Sequence, residues 1–183
     1  MKKILSLVAS LTVISGVCAA VLAYVDSVTR GPIADVELSN KLMAAKAVMP
    51  EGVAEVVPIA WEDAEKKKPT DFVGKGKDGA PLGYAMTGKD AGGYGGDIVL
   101  MVGFEADKKT VVCYKTLKAT ETPGLGMNLN APAFAGQFSG KDGSSLKVKK
   151  DGGEVEAITS ATITSRAVCR AIAAACKALA GVK

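Results

Sequence analysis

The residues best equipped for chemistry lie in one run near the C-terminus: Glu156-Ala157-Ile158-Thr159-Ser160-Ala161-Thr162-Ile163-Thr164-Ser165-Arg166-Ala167-Val168. Five of these thirteen residues carry hydroxyls. A hydroxyl oxygen can cap a helix by accepting a bond from one of its first backbone N–H groups, and Thr164 or Ser165 is placed to do so. The segment that follows, Cys169 to Ala180, is alanine-rich, and Val168, Ile172, Ala175 and Leu179 recur at helical steps. A small-residue, hydroxyl-rich loop running into a helix gathers free N–H groups at the positive end of the helix dipole, which favours a phosphate. On these residues alone two readings stand, a phosphate site or simply a capped C-terminal helix. The second is the more common use of such a pattern.

A second stretch is Thr120-Glu121-Thr122-Pro123-Gly124-Leu125-Gly126-Met127-Asn128. Proline and glycine suit the two central positions of a type II turn, where glycine takes the positive φ. An ordinary turn would satisfy that pattern as well.

Taken together, the two stretches resemble the FMN-binding domain family. Ile158 to Ser165 is similar to the family signature, in which an acidic residue precedes Ser/Thr-Gly-Ala-Thr, and Glu121-Thr122-Pro123-Gly124-Leu125-Gly126 matches a second family motif letter for letter. Two departures stand out: Ser160 occupies the usual glycine position and Glu156 the usual aspartate position. The resemblance implies that Thr162 carries FMN through a phosphoester made by a flavin transferase, one FMN per chain. It implies that the Thr122–Gly126 loop lies against the isoalloxazine ring. The cofactor-binding residues it points to are Glu121, Thr122, Gly124, Leu125, Gly126, Thr159, Ser160, Ala161, Thr164 and Ser165, with no metal. Within the family, the overall plan is similar to the flavin-bearing subunits of Rnf-type ferredoxin:NAD oxidoreductases and of sodium-pumping NADH:quinone reductases. The implied role is an electron-transfer subunit of a membrane-bound, ion-translocating complex, whose partners are integral membrane and redox subunits. The alternatives are an anchored flavoenzyme binding FMN non-covalently and a cofactor-free assembly subunit.

Composition narrows the field independently. Histidine is absent, which excludes a Ser-His-Asp hydrolase, a histidine-ligated haem and the common zinc sites. The net charge of +4 is mild, and no basic face with interleaved aromatics suggests nucleic-acid binding. The four cysteines, Cys18, Cys113, Cys169 and Cys176, form no Cys-x-x-Cys pair. Cys169 and Cys176 stand two helical turns apart, too far to bridge, so the spacing favours small apolar thiols over a cluster or a disulfide.

The elements that must position these residues point to an α+β chain. Ile4 to Val25 is an uncharged run after Lys2 and Lys3, long enough for a membrane span and longer than the apolar core of a signal peptide. The lysines favour a cytoplasmic N-terminus and an extracytoplasmic domain at the inner membrane. The expected organisation is an anchor over 1–28, a juxtamembrane amphipathic helix over 29–50 and an FMN-binding domain over 51–183. That helix opens at Pro32, carries Ile33, Val36, Met43 and Ala47 on one face, and stops at Pro50. Val53 to Ile59 reads as a strand, Glu62 to Lys68 as a charged loop, and Phe72-Val73 and Pro81–Met86 as strands. The glycine-rich Asp90–Asp97 reads as a loop where backbones approach closely. Ile98–Phe104 and Thr110–Leu117 read as a hairpin whose first strand is covered on both faces. Pro132–Phe138 reads as a short helix and Leu146–Lys149 as a last strand.

Overall fold

Helix α1 runs from Lys2 to Val48 without interruption. Pro32 therefore opens no new helix: it lies inside this one, where its ring costs the N–H bond that the carbonyl four residues earlier would otherwise receive. The computed structural model describes residues 2–59 and 71–182; the expected charged loop Glu62–Lys68 lies outside them. Two units result, Met1–Ser39 and Asn40–Lys183. In the first, every described side chain from Lys3 to Ile33 is exposed, and the helix is long and apolar enough to cross a membrane.

The second unit is built on a five-stranded antiparallel sheet in the order β1-β2-β3-β4-β5. The strands are Glu55–Pro58, Phe72–Lys75, Pro81–Asp90, Ile98–Glu105 and Val111–Lys118. Each pairs with its sequence neighbour, so the sheet is a simple meander. Alternation along β4 explains why that strand is apolar throughout. Ile98, Leu100, Val102 and Phe104 join the core that includes Ala167, Val168, Ala171, Ile172, Ala175 and Leu179 of the C-terminal helix α3, Thr162–Ala180. Met101, facing the other way, packs with Phe72, Ala85 and the end of α1 through Ala44, Ala45 and Val48. The expected face of the 29–50 segment is thus out of register, since Ile33, Val36 and Met43 are all exposed. Backbones come very close on both sides of the sheet. A Cβ on Gly88 would stand 2.1 Å from the Ala171 carbonyl oxygen, and one on Gly103 would stand 1.8 Å from that of Val48.

After β5 the chain crosses to α3 through short pieces. Pro132–Ala135 is α2, extended by a 3-10 turn over Gly136–Phe138. Leu146–Lys149 is not a strand: Val148 makes a single parallel bridge to Val155, and a 3-10 turn follows at once over Lys149–Asp151. The alternation of Leu146, Lys147, Val148 and Lys149 is strand-like, but it has no long partner to pair with.

Candidate functional site

Thr122 to Leu125 forms the type II turn that Pro123-Gly124 predicts. The Leu125 N–H donates to the Thr122 carbonyl at 3.2 Å, and Gly124 sits at φ 74°, a conformation side-chain-bearing residues resist. The turn is braced by Asn128, whose side-chain amide donates to the Gly124 carbonyl at 2.9 Å.

Across from it, α3 starts at Thr162, so its N-cap falls three residues before Thr164 and four before Ser165, the expected caps. Its N-cap position is Ala161, and no side chain caps it. Thr164 and Ser165 lie inside the first turn, 1% and 0% exposed; the Thr164 hydroxyl serves a tertiary bond and the Ser165 hydroxyl joins the helix to the loop just before it. Ser165 Oγ accepts from the Ile158 N–H at 2.9 Å and donates to the Ala161 carbonyl at 2.9 Å. Thr164 Oγ1 donates to Glu121 Oε2 at 2.7 Å. The loop enters the helix through Ser160, at φ 61°. This is the position at which the family pattern has glycine, and the left-handed backbone supplies the reason.

Glu121 joins three segments. Its carboxylate, on a residue 7% exposed, accepts from Thr164 of α3 and, at 3.2 Å, from the Gly95 N–H of the glycine-rich loop. Both neighbouring glycines are required by space. A Cβ on Gly126 would lie 2.3 Å from Glu121 Oε2, and one on Gly95 would lie 1.7 Å from the Thr120 carbonyl oxygen. The loop is tethered at its start by Asp90, which receives a two-pronged ion pair from Arg170 of α3 at 2.8 and 2.9 Å. The Arg170 guanidinium holds the Asp90 carboxyl below the usual carboxylate range.

These segments border a cleft of about 560 Å³ lined by Glu121, Thr122, Leu125 and Gly126 of the turn segment, by residues 160–164 of the helix start, and by Tyr94. The structure thus brings together Glu121, Thr122, Leu125, Gly126, Ser160, Ala161, Thr162 and Thr164. Gly124 shapes the turn without lining the cleft, Thr159 is exposed outside it, and Ser165 is buried and does not line it. Tyr94, which lies outside both motifs, and Ile163, inside the helix-side motif but not among the expected cofactor-binding residues, supply exposed apolar surface at the cleft, as does Leu125; they are 74%, 49% and 42% exposed. No cysteine lines the cleft. All four are free, and burial pushes the Cys169 thiol up to about 11. No group of potential metal ligands forms among the described residues.

The FMN-binding domain family profile matches residues 93–177, a stretch holding the whole cleft. The G subunit of the ion-translocating oxidoreductase complex of Methanosarcina acetivorans is 32% identical over 174 residues, covering 93% of this chain and 92% of that protein. The G subunit of the Na(+)-translocating ferredoxin:NAD(+) oxidoreductase complex of Acetobacterium woodii is 31% identical over 175 residues, covering 86% and 83%. The crystal structure of the C subunit of the Na(+)-translocating NADH-quinone reductase from Parabacteroides distasonis shares the fold. Its TM-score is 0.50 at 24% identity, over 68% of this chain and 75% of that one.

Proposed function

Because the chain belongs to the FMN-binding domain family, among the G subunits of ion-translocating oxidoreductase complexes, we propose that it carries electrons within such a complex through FMN held covalently at Thr162. The observation that supports this best is the convergence of the two motifs on one cleft, with Thr162 at the first position of α3. Volume and lining suit the group: about 560 Å³ falls within the usual range for cofactor sites. Tyr94, Leu125 and Ile163 offer apolar contact to a flat ring system, and the start of α3 offers uncapped N–H groups to a phosphate.

Bound FMN supplies one- and two-electron redox chemistry. The chain supplies position. The Thr122–Leu125 turn sets one wall, Glu121 ties that wall to α3 and to the Tyr94 loop, and the helix dipole favours negative charge beside Thr162. Burial narrows the hydroxyls, leaving Thr159, Ser160 and Thr162 open to solvent, and register within the motif favours Thr162 among them. Thr164 and Ser165 are closed off from solvent, whereas Thr162 is partly exposed and lines the cleft. In this reading α1 anchors the chain in the cytoplasmic membrane, with its N-terminus cytoplasmic and the FMN domain extracytoplasmic. The membrane and redox subunits of the complex are its partners, and a flavin transferase completes its maturation.

Co-expression with a flavin transferase tests the attachment. Thr162→Ala should abolish flavin fluorescence in a denaturing gel and remove the FMN mass increment, with the far-UV spectrum unchanged. Ser165→Ala should keep the flavin. A flavin-bearing peptide modified at Thr159 or Thr164 would overturn the assignment.

A further inference from the structure

We infer that Lys150 is the counter-cation that receives the flavin phosphate at Thr162. The inference rests on the reading of Thr162 as the flavin-bearing residue, and adds a positioning residue from outside both motifs.

Lys150 Nζ stands 3.5 Å from Thr162 Oγ1, its one polar contact among the described residues. At that separation the ammonium barely bonds the hydroxyl itself, since good N–H···O bonds are shorter. It is placed instead to meet an anionic oxygen carried on that hydroxyl, as a charge-assisted bond. Three neighbouring cations are engaged elsewhere. Lys149 pairs with Glu156 at 2.6 Å, Arg166 grips Asp151 through two bonds of 2.7 Å, and Arg170 grips Asp90. Lys150 alone of this group is directed at the acceptor hydroxyl.

Its placement is built into the local fold. The Lys149–Asp151 turn is closed by Gly152 at φ 79° and held from behind by the Lys149 N–H bond to the Val155 carbonyl at 2.8 Å. The Asp151–Arg166 pair then fastens the turn to the first turns of α3. Backbone and a neighbouring ion pair thereby fix the site from which the Lys150 side chain reaches Thr162.

The test is intact-mass measurement of flavin occupancy in chains co-expressed with limiting flavin transferase, with melting curves of the unmodified proteins as the folding control. Lys150→Gln should lower occupancy about tenfold, the scale of one charge-assisted bond. Lys150→Arg should restore most of it, which a purely structural role at this exposed position would not require. Occupancy of Lys150→Gln within twofold of the unsubstituted chain would overturn the inference and leave the Thr162 assignment standing. An unsubstituted chain that gains no flavin mass would overturn both.

Discussion

The two walls of the cleft are held in place by different means. On the turn wall, backbone geometry does most of the positioning: Gly124 takes φ 74°, and Gly126 leaves no room for a Cβ beside Glu121. On the helix wall, side chains do it. Ser165 staples the loop to the helix, Thr164 reaches over to Glu121, and Gln137 brackets the Glu156 backbone with bonds of 2.7 and 3.2 Å. The difference explains where the sequence departs from its family pattern. On the turn wall both glycines match, Gly124 because of its positive φ and Gly126 for want of room. The helix wall absorbs two departures. Ser160 accepts a left-handed backbone, which short polar residues tolerate better than bulky ones. Glu156 points outward, pairs with Lys149, and has its carboxyl held below the ordinary range by that ammonium.

The comparison is broken most severely where the walls and the Tyr94 loop share one point. Gly95→Ala would drive a Cβ into the Thr120 carbonyl oxygen at 1.7 Å, against backbone on both sides. It would also displace the N–H that Glu121 accepts. A loss of about 1–3 kcal/mol is expected from overpacking of this kind, read as a drop of several degrees in the melting temperature. An unchanged melting temperature would show that the loop does not press on the turn wall.

A smaller effect is expected from cutting the link between the walls. Thr164→Val keeps the shape of the side chain and removes the hydroxyl that donates to Glu121 Oε2. A buried carboxylate losing one donor costs about 1–3 kcal/mol, and retaining the Gly95 N–H should keep this variant toward the lower end. Thermal melting measures the loss. If the helix wall is held independently by Ser165, as the geometry indicates, the flavin proposed at Thr162 should survive there. Joint loss of flavin and stability would make the walls one unit and not two.

Several parts of this design are legible in the amino-acid order because their causes are local. Pro123-Gly124 announces its turn since both residues restrict or free φ, and the Val168–Leu179 stripe announces its buried face by period. The apolar run of β4 likewise predicts its two covers. The hydroxyl of Thr164 misleads for the opposite reason. As an isolated residue it is a good cap, but its partner is Glu121, 43 residues earlier. Ser165 is drawn to local partners instead, the Ile158 N–H and the Ala161 carbonyl. Tyr94 and Lys150 carry no pattern of their own, and fold topology alone brings them to Thr162. Pro32 shows a local rule yielding to context, as α1 continues through a residue that usually ends a helix. Leu146–Lys149 shows an alternation that finds only a single bridge.

The finest probe of the comparison is Ser160→Gly, which restores the family residue on the wall that tolerates departure. Two terms oppose each other. Glycine removes the penalty for a side chain at φ 61°, on the order of 1 kcal/mol, but adds roughly 0.5–1 kcal/mol of backbone freedom to be lost on folding. The net change should lie within about 0.5 kcal/mol, a shift of one or two degrees at most. Flavin occupancy at Thr162 should be equal or higher, since the loop shape is already the one glycine favours. Ser160→Val meets the same backbone with a branched side chain and should lose both stability and occupancy. If Ser160→Val matched Ser160→Gly, the left-handed bend would not be what presents Thr162, and the helix wall would owe its tolerance to something other than the backbone at residue 160.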